Sequence, residues 1–410
     1  MVRKKRYRRL IYCLLALDLL VMGYLGYRYL DRKIPQELHI VEGEEEKVEK
    51  LFDSFWIKSE ASIPASQSGS YTIQCSLFGV IPFKDVKVTT GSRENLWVSG
   101  EPVGLYMETQ GVLIIDTGEI VGKDGTSYDP AKNIAQAGDY IVAFNDQRVT
   151  SKKELVEDIA CCQGETATLS VIRHGEEIPI CLEPVMGEDG CYKLGIWVRD
   201  NTQGIGTLTY VRENGDFGAL GHGISDVDTG ELLHIQDGAL YQTEILGIQK
   251  GSKGSPGELS GIIRYQDSNR VGKISKNCSN GIYGSMDSDE KKKFQWQKLP
   301  VGYKQDMKLG DAQILFELDG KVEKFDVEIT KIDMDHEDTN KSFVIKVTDP
   351  RLFVSYRGNR SRNERKPGDS GWQGGGSSHP CFCSGFQYGL WNFYRDHAEA
   401  VEKKSTLPAL

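Results

Sequence analysis

The sequence contains no Cys-x-x-Cys pair, although it has nine cysteines in 410 residues. Zinc and iron–sulfur sites require closely spaced cysteine or histidine ligands, and the adjacent Cys161 and Cys162 do not have that spacing. We therefore expect no metal and no cofactor. Outside the cytoplasm a disulfide is chemically allowed, and the pairing stays open among Cys75, Cys161, Cys162, Cys181 and Cys191.

The sequence also lacks an excess of positive charge and any strict internal repeat. The formal net charge is −9 and the pI is near 5.5, which argues against a nucleic-acid partner. The absence of a repeat argues against a propeller or a solenoid. A hydrophobic content of 39% and a charged content of 27% are typical of globular domains.

The N-terminus departs from this globular composition. Six cationic side chains in residues 1–9 precede the apolar run LIYCLLALDLLVMGYLGY, residues 10–27, which contains Asp18. Basic residues hold their end of such a segment in the cytoplasm, and no small-x-small cleavage site follows. We predict a cytoplasmic tail (1–9) and a single-pass signal anchor (10–27). A buried core helix is the alternative.

Residues 28–70 are polar, charged and serine-rich, which predicts a juxtamembrane linker. Residues 71–186 then show short β-type runs, a turn at Asn145-Asp146 and a helical stretch, 151–162, that Ser151 can cap. In order and wording this region resembles a PDZ domain. The resemblance implies a peptide C-terminus bound at a glycine-containing loop, with helix 151–162 as the other wall. We assign that loop to Val103, Gly104, Leu105 and Tyr106; the alternative is that Gly104 only turns the chain.

Residues 187–352 contain many short β-like runs separated by glycine, which predicts an all-β barrel or sandwich. The most distinctive of these stretches is Gly218 to Asp226, GALGHGISD, where His222 lies between two glycines. An open backbone there lets the imidazole reach a neighbouring group, as a general base must. A loop histidine that is merely solvent-exposed is the plainer interpretation.

Three stretches together carry a resemblance to a known family: FGALGHGISDVDTGEL, GSKGSPGE (251–258) and VKVTDPRL. With the N-terminal anchor and the PDZ-like region, they resemble the stage IV sporulation protein B peptidase family. The resemblance implies a chymotrypsin-like double β-barrel serine endopeptidase, incomplete here at its C-terminus. It implies His222 as the general base, Asp349 as the residue that orients its ring, and a supporting role for Asn277.

The family also implies partners and a location. Its members are exported from the forespore into the space between the two spore membranes. They cut themselves and a membrane-bound regulator of an intramembrane protease, so that a late sigma factor is activated. We therefore expect a protein substrate, self-cleavage, a forespore membrane anchor and an extracytoplasmic catalytic domain.

The sequence departs from the family at the nucleophile, because it contains no Met-Ser-Gly-Ser-Pro. The fifteenth position after Asp349, where the family serine is expected, is Glu364. Asn363–Pro367 can be encoded so that a reading one base later gives Met-Ser-Gly-Ser-Pro, and neighbouring segments shift consistently. We infer that residues 353–410 are out of frame. Ser370, in Gly-Asp-Ser-Gly, is then an accident, and its use as a substitute nucleophile is the rival interpretation.

Other motifs have plainer interpretations. Ser255 is expected in a turn, Asp226–Glu231 in a solvated turn, and the acidic run 333–338 at an exposed hairpin tip. Two functions result for the chain. The first is a membrane-anchored serine endopeptidase whose printed form is inactive and unstable, and the second is a non-catalytic, membrane-tethered PDZ binding protein.

Overall fold

A computed structural model describes residues 2–34, 37–41, 57–61, 70–249, 258–303, 306–318, 320–332 and 343–354. The chain divides into two compact units. The first consists of Met1–Asn95, Pro300–Gly310 and Glu328–Ile345, and the second of Leu96–Leu299, Asp311–Val327 and Lys346–Leu410.

Strands dominate the described residues. In chain order they are β1 (Glu37–Val41), β2 (Ile57–Ala61), β3 (Ser70–Leu77), β4 (Ile81–Gly91), β5 (Asn95–Val98), β6 (Pro102–Thr117), β7 (Ile120–Val121), β8 (Ser127–Tyr128), β9 (Tyr140–Phe144), β10 (Gln147–Arg148), β11 (Ala167–Arg173), β12 (Glu176–Leu182), β13 (Val185–Met186), β14 (Tyr192–Lys193), β15 (Ile196–Val211), β16 (Asp216–Ala219), β17 (Ile235–Gln249), β18 (Glu258–Ile263), β19 (Arg270–Cys278), β20 (Gly281–Ser285), β21 (Gln297–Pro300), β22 (Gly310–Leu318), β23 (Lys321–Ile332) and β24 (Phe343–Val347). The helices are α1 (Val2–Lys33), α2 (Lys152–Cys161), α3 (Ser288–Lys291) and α4 (Pro350–Val354), with a 3-10 turn at Asp267–Asn269.

Helix α1 contains an apolar span of 22 residues, Leu10–Asp31, and no residue in the most apolar part of this span is buried. Its length and composition suffice to cross a bilayer, and it is compatible with the predicted single-pass anchor. At its C-terminal end Lys84 Nζ donates hydrogen bonds to the carbonyls of Asp31 (3.0 Å) and Ile34 (2.7 Å). A cation at this position satisfies carbonyls that have no partner within the helix.

The first unit contains a four-stranded sheet in the order β1-β4-β3-β2. Its alternating side chains form a small core with the end of α1. The buried members of that core are Ile34, Leu38, Ile40, Ile73, Cys75, Val86 and Val88.

The second unit contains a closed barrel of six antiparallel strands. The order around it is β6-β17-β19-β20-β16-β15, and β15 pairs with β6 to close the ring. Inward-facing apolar side chains fill it, as the period of two along a strand requires. The core includes Val103, Leu105, Met107, Leu208, Phe217, Leu240, Ile274 and Ile282.

Strands β6 and β15 are each 16 residues long and continue from the barrel into a second region of the same sheet. There β6 pairs with β9, and the order runs on to β11 and β12. Their apolar faces and helix α2 enclose a second core from Val112 to Leu194, against which Ile196 and Val198 pack. This core therefore extends past Met186, the residue at which the sequence-based boundary was placed.

The local signals in this second region are confirmed. Asn145 and Asp146 have φ values of 47° and 63°, the left-handed conformation of a tight two-residue hairpin. Ser151 caps α2, because its Oγ accepts a hydrogen bond from Glu154 N at 3.2 Å. Glu154 Oε2 in turn accepts from Ser151 N, which completes a capping box.

The prediction of a mainly β chain with an N-terminal apolar helix and a barrel is confirmed. Residues 310–347 contribute a three-stranded sheet in the order β22-β23-β24. The second barrel of the expected pair stays a prediction, because one closed barrel is present in the part of the chain described.

Candidate functional site

His222 lies in the loop that follows barrel strand β16, which we call the histidine loop and define as residues 220–233. The loop begins at Leu220, whose φ of 61° is unusual for a residue other than glycine. Leu220 is buried, and its N–H donates to Thr207 O at 3.1 Å. The backbone is thus held in a strained conformation at the point where the chain leaves the strand.

The His222 imidazole is exposed, and its Nδ1 lies 2.9 Å from the carbonyl oxygen of Gly223. A carbonyl oxygen only accepts hydrogen bonds, so Nδ1 is the nitrogen that carries hydrogen. In the neutral ring Nε2 is then an acceptor facing solvent. This is the tautomer that a general base requires.

Asn277, on β19, holds the histidine loop from one side. Its Oδ1 accepts a hydrogen bond from Ile224 N (2.8 Å), and its Nδ2 donates to Ile224 O (2.8 Å) and Leu233 O (2.9 Å). Gly223 N also donates to Ser279 O at 3.1 Å. The Asn277 side chain, which was expected to play a supporting role, therefore joins Ile224 to Leu233 at the end of the loop.

Asp226, in the same loop, is a residue that sequence reasoning missed. The turn at Asp226–Glu231 was expected to be solvated, yet the Asp226 side chain is fully buried. One carboxylate oxygen accepts from Asp228 N and Thr229 N, both at 3.0 Å, and the other is paired with the Arg199 guanidinium. The expectation of a solvated turn is wrong for Asp226, because local amides and a distant arginine replace water. Asp-x-Asp-Thr-Gly was a usable signal for such a side-chain-capped turn.

The Asp349 carboxylate is bound mainly by the Arg351 side chain. Its carboxylate accepts from Arg351 Nη2 (2.8 Å) and Nε (3.1 Å) and from Asp326 N (3.4 Å). The Arg351 hydrogen bonds lower the pKa of Asp349 to about 2. Among the described residues the hydrogen-bond partner of His222 Nδ1 is Gly223 O, so the orienting role of Asp349 stays a prediction.

The four residues predicted to form a peptide-binding loop, Val103, Gly104, Leu105 and Tyr106, lie inside barrel strand β6. They pair on one edge with Gln203–Gly206 of β15 and on the other with residues 239–242 of β17. Since both edges are hydrogen-bonded, the backbone cannot receive a peptide. The prediction of a loop at these residues is wrong, because the strand register cannot be read from a local pattern.

A different strand has an unpaired edge near helix α2. Residues Ile196–Arg199 of β15 pair with β6, and no strand pairs with their other edge in the described chain. Lys152 N, at the start of α2, donates to Asp200 Oδ2 at 2.8 Å. The strand is preceded by Leu194-Gly195, where Gly195 has a φ of 68°. None of the hydrogen bonds among described residues uses the backbone N–H of Leu194 or Gly195.

Several predicted residues lie outside the described part of the chain. They are Glu364, at the expected position of the nucleophile, Ser370, Ser255, the acidic run 333–338 and the stretch 355–410. The seven described cysteines, including the five considered for a disulfide, are free thiols. No group of metal-ligating side chains is present among the described residues.

Comparison with known proteins adds one match. Residues 190–358 match the family model described as SpoIVB peptidase S55, a range that includes His222, Asn277 and Asp349. No curated protein matches the chain. The match confirms, for residues 190–358, the resemblance to this family that the ALGHGIS and VTDPRL motifs suggested.

Proposed function

We propose that this protein belongs to a line of membrane-anchored serine endopeptidases that use His222 as the general base. The observation that carries the proposal is the His222 ring within the family-matched region, with Nδ1 tied to Gly223 O and Nε2 open. Nε2 would take the proton of a serine hydroxyl as its oxygen attacks the peptide carbonyl carbon. The imidazolium would then give that proton to the leaving amine, and water would release the acyl group in a second cycle.

The serine of this mechanism is the one encoded by the re-read Met-Ser-Gly-Ser-Pro, at the position of Glu364. A glutamate cannot form the acyl ester intermediate of a serine peptidase, so the chain as printed is inactive under this proposal. Asp349 keeps its proposed role of orienting His222 in the active form. That role requires the Asp349 carboxylate to exchange its contacts with Arg351 for the imidazole.

The substrates follow from the family and the anchor. We propose that the enzyme cuts itself and a membrane-bound regulator during sporulation, from the forespore side of the intermembrane space. The basic N-terminal tail and the apolar span Leu10–Asp31 support this orientation, because cationic flanks stay in the cytoplasm.

A second candidate function, peptide binding without catalysis, is favoured by the unpaired edge of Ile196–Arg199. An extended peptide can add to such an edge as a further strand, with α2 as the opposite wall. The unused N–H groups of Leu194 and Gly195 would receive its terminal carboxylate. Ile196 and Val198, which pack on the apolar core, would contact apolar side chains of the peptide.

Restoring the reading frame tests the proposal. Sequencing of the gene around codon 353 should show one base fewer, and the restored protein should cleave casein and itself. Substitution His222→Ala should reduce turnover by at least about a thousandfold, the scale seen when one member of a catalytic triad is removed. His174→Ala, at an exposed hairpin turn, is the matched control and should retain activity. If the restored protein binds peptides but never cleaves, the second function stands in place of the first.

A further inference from the structure

The histidine loop is held on its second side by an ion pair from another strand. Arg199 of β15 contacts the buried carboxylate of Asp226 through Nη1, and its Nη2 donates to Asp228 Oδ2 at 2.9 Å. Asp226 is four residues beyond His222, and its N–H donates to Glu231 O at 2.9 Å. The guanidinium therefore neutralises and orients the carboxylate around which the loop folds.

The neighbouring residue of the same strand faces helix α2. Asp200 Oδ2 accepts the hydrogen bond from Lys152 N at the first turn of that helix. Arg199 contacts the histidine loop and Asp200 contacts helix α2, so two consecutive residues connect one strand to two different structures. Arg199 is the last residue of Ile196–Arg199, the segment of β15 with the unpaired edge, and Asp200 follows it directly.

Asn277 fixes Ile224 and Leu233. The outer turn between them is held by backbone hydrogen bonds, including Gly230 N to Asp226 O at 2.9 Å, and by the Asp226 side chain. Removing the Arg199 charge leaves a fully buried carboxylate without its cation. The Asp226 carboxylate would then have to turn toward water to recover a polar partner, which weakens the hydrogen bonds to Asp228 N and Thr229 N.

We propose that Arg199 is a positioning residue that couples the strand Ile196–Arg199 to the histidine loop. A change at the groove formed by this strand and α2 is thereby transmitted to His222. The meaning of this coupling for catalysis rests on the proposed function, but the coupling itself does not, because it is a property of the loop that can be measured without turnover.

The test uses the full-length chain in detergent micelles, with hydrogen exchange resolved by mass spectrometry. Arg199→Gln should speed exchange in residues 223–233 by about tenfold and leave β19 and β20 unchanged, since local opening raises exchange only where contacts are lost. Arg199→Lys should give a smaller change, because it retains the charge but not the forked geometry. Asp228→Asn is the matched control and should leave the loop close to the wild type, since the contact with Asp226 is retained.

Reaction of His222 with diethyl pyrocarbonate gives a second readout. Only the unprotonated ring reacts, and the exposed His174 serves as an internal reference. Arg199→Gln should alter the ratio of the His222 rate to the His174 rate by about threefold or more, because the contact of Nδ1 with Gly223 O depends on the loop. A merely structural role for Arg199 would lower protection throughout the barrel and would leave that ratio unchanged, which would overturn the proposal.

Coupling to the helix is tested with Asp200→Asn. This substitution should change exchange in the histidine loop when Arg199 is present and should have little further effect in the Arg199→Gln background, as expected for two coupled sites. Equal effects in both backgrounds would contradict the coupling.

In the frame-restored enzyme, Arg199→Gln should lower kcat while KM changes little. A loosened loop in an enzyme that never turns over would refute the proposed function and leave this inference intact.

Discussion

At the residue scale, the clearest energetic anomaly is Glu101, a buried carboxylate at the start of β6. Gln295 N lies 3.2 Å from both of its oxygens, and Glu317 is a second, nearby acid. Burial is the main reason that the pKa of Glu101 rises from 4.5 to about 7, and the Glu317 charge adds to it. Burial also raises the pKa of Glu317.

Because the folded state binds a proton at Glu101 that the unfolded state has released, the free energy of unfolding should fall between about pH 4.5 and 7. Substitution Glu101→Gln should remove this loss and raise the free energy of unfolding at pH 8 by about 1–2 kcal/mol. Urea denaturation at pH 5 and pH 8 measures it. The exposed Glu176→Gln is the control, and equal behaviour of the two variants would contradict the assignment.

Sequence reasoning succeeded at this scale where chemistry is local and failed where it is distant. The flanking glycines predicted an exposed loop around His222, which the structure has, while the role of His222 as a general base stays a prediction. Arg199 and Asp226 are 27 positions apart, and no local pattern pairs them. The contact of Asp349 with Arg351 is an exception, because it is local, two residues apart, and was nevertheless not predicted.

At the element scale, helix α2 is the part of the chain that its own sequence specifies best. Ser151 and Glu154 form the capping box, and Leu155 and Ile159 bury one face. The wrong element was the supposed loop at 103–106. Its glycine serves packing instead, because a Cβ at Gly104 would lie 2.5 Å from the Ile263 side chain.

Substitution Ser151→Ala should lower the free energy of unfolding by about 1 kcal/mol, since it leaves Glu154 N without its acceptor. Hydrogen exchange in residues 152–161 should increase more than in β11. Glu154→Gln is the matched variant, because it keeps the side-chain acceptor and removes only the charge, so its effect should be smaller. A larger loss for Glu154→Gln than for Ser151→Ala would show that the helix-terminal charge contributes more than the Ser151 hydrogen bond.

At the scale of the whole molecule, the mainly β character and the N-terminal apolar helix could be predicted from composition and strand spacing. The closure of the barrel could not, because it depends on β6 pairing with β15 across about ninety intervening residues. Nor did the pattern reveal that both strands belong to two cores at once. Val103 packs in the barrel core and Val112 in the core around α2, nine positions along one strand.

This shared strand predicts common unfolding of the two cores. Val103→Ala and Val112→Ala each remove buried methyl groups, and each should lower the free energy of unfolding by about 2 kcal/mol. Hydrogen exchange of the slowest amides should accelerate by a similar factor in both cores for either variant. Acceleration confined to the core that carries the substitution would show that the cores open separately.

Because β6 and β15 are shared by both cores, the two cores cannot be separated into independent fragments. A recombinant fragment ending near Met186 would lack Leu194, Ile196 and Val198 and would expose the face they cover. Exchange of one core region for that of a relative would also disrupt the fold. Any junction between the barrel and the region around α2 falls within the paired strands β6 and β15 and not within a linker. The region around α2 and the barrel must therefore be purified together.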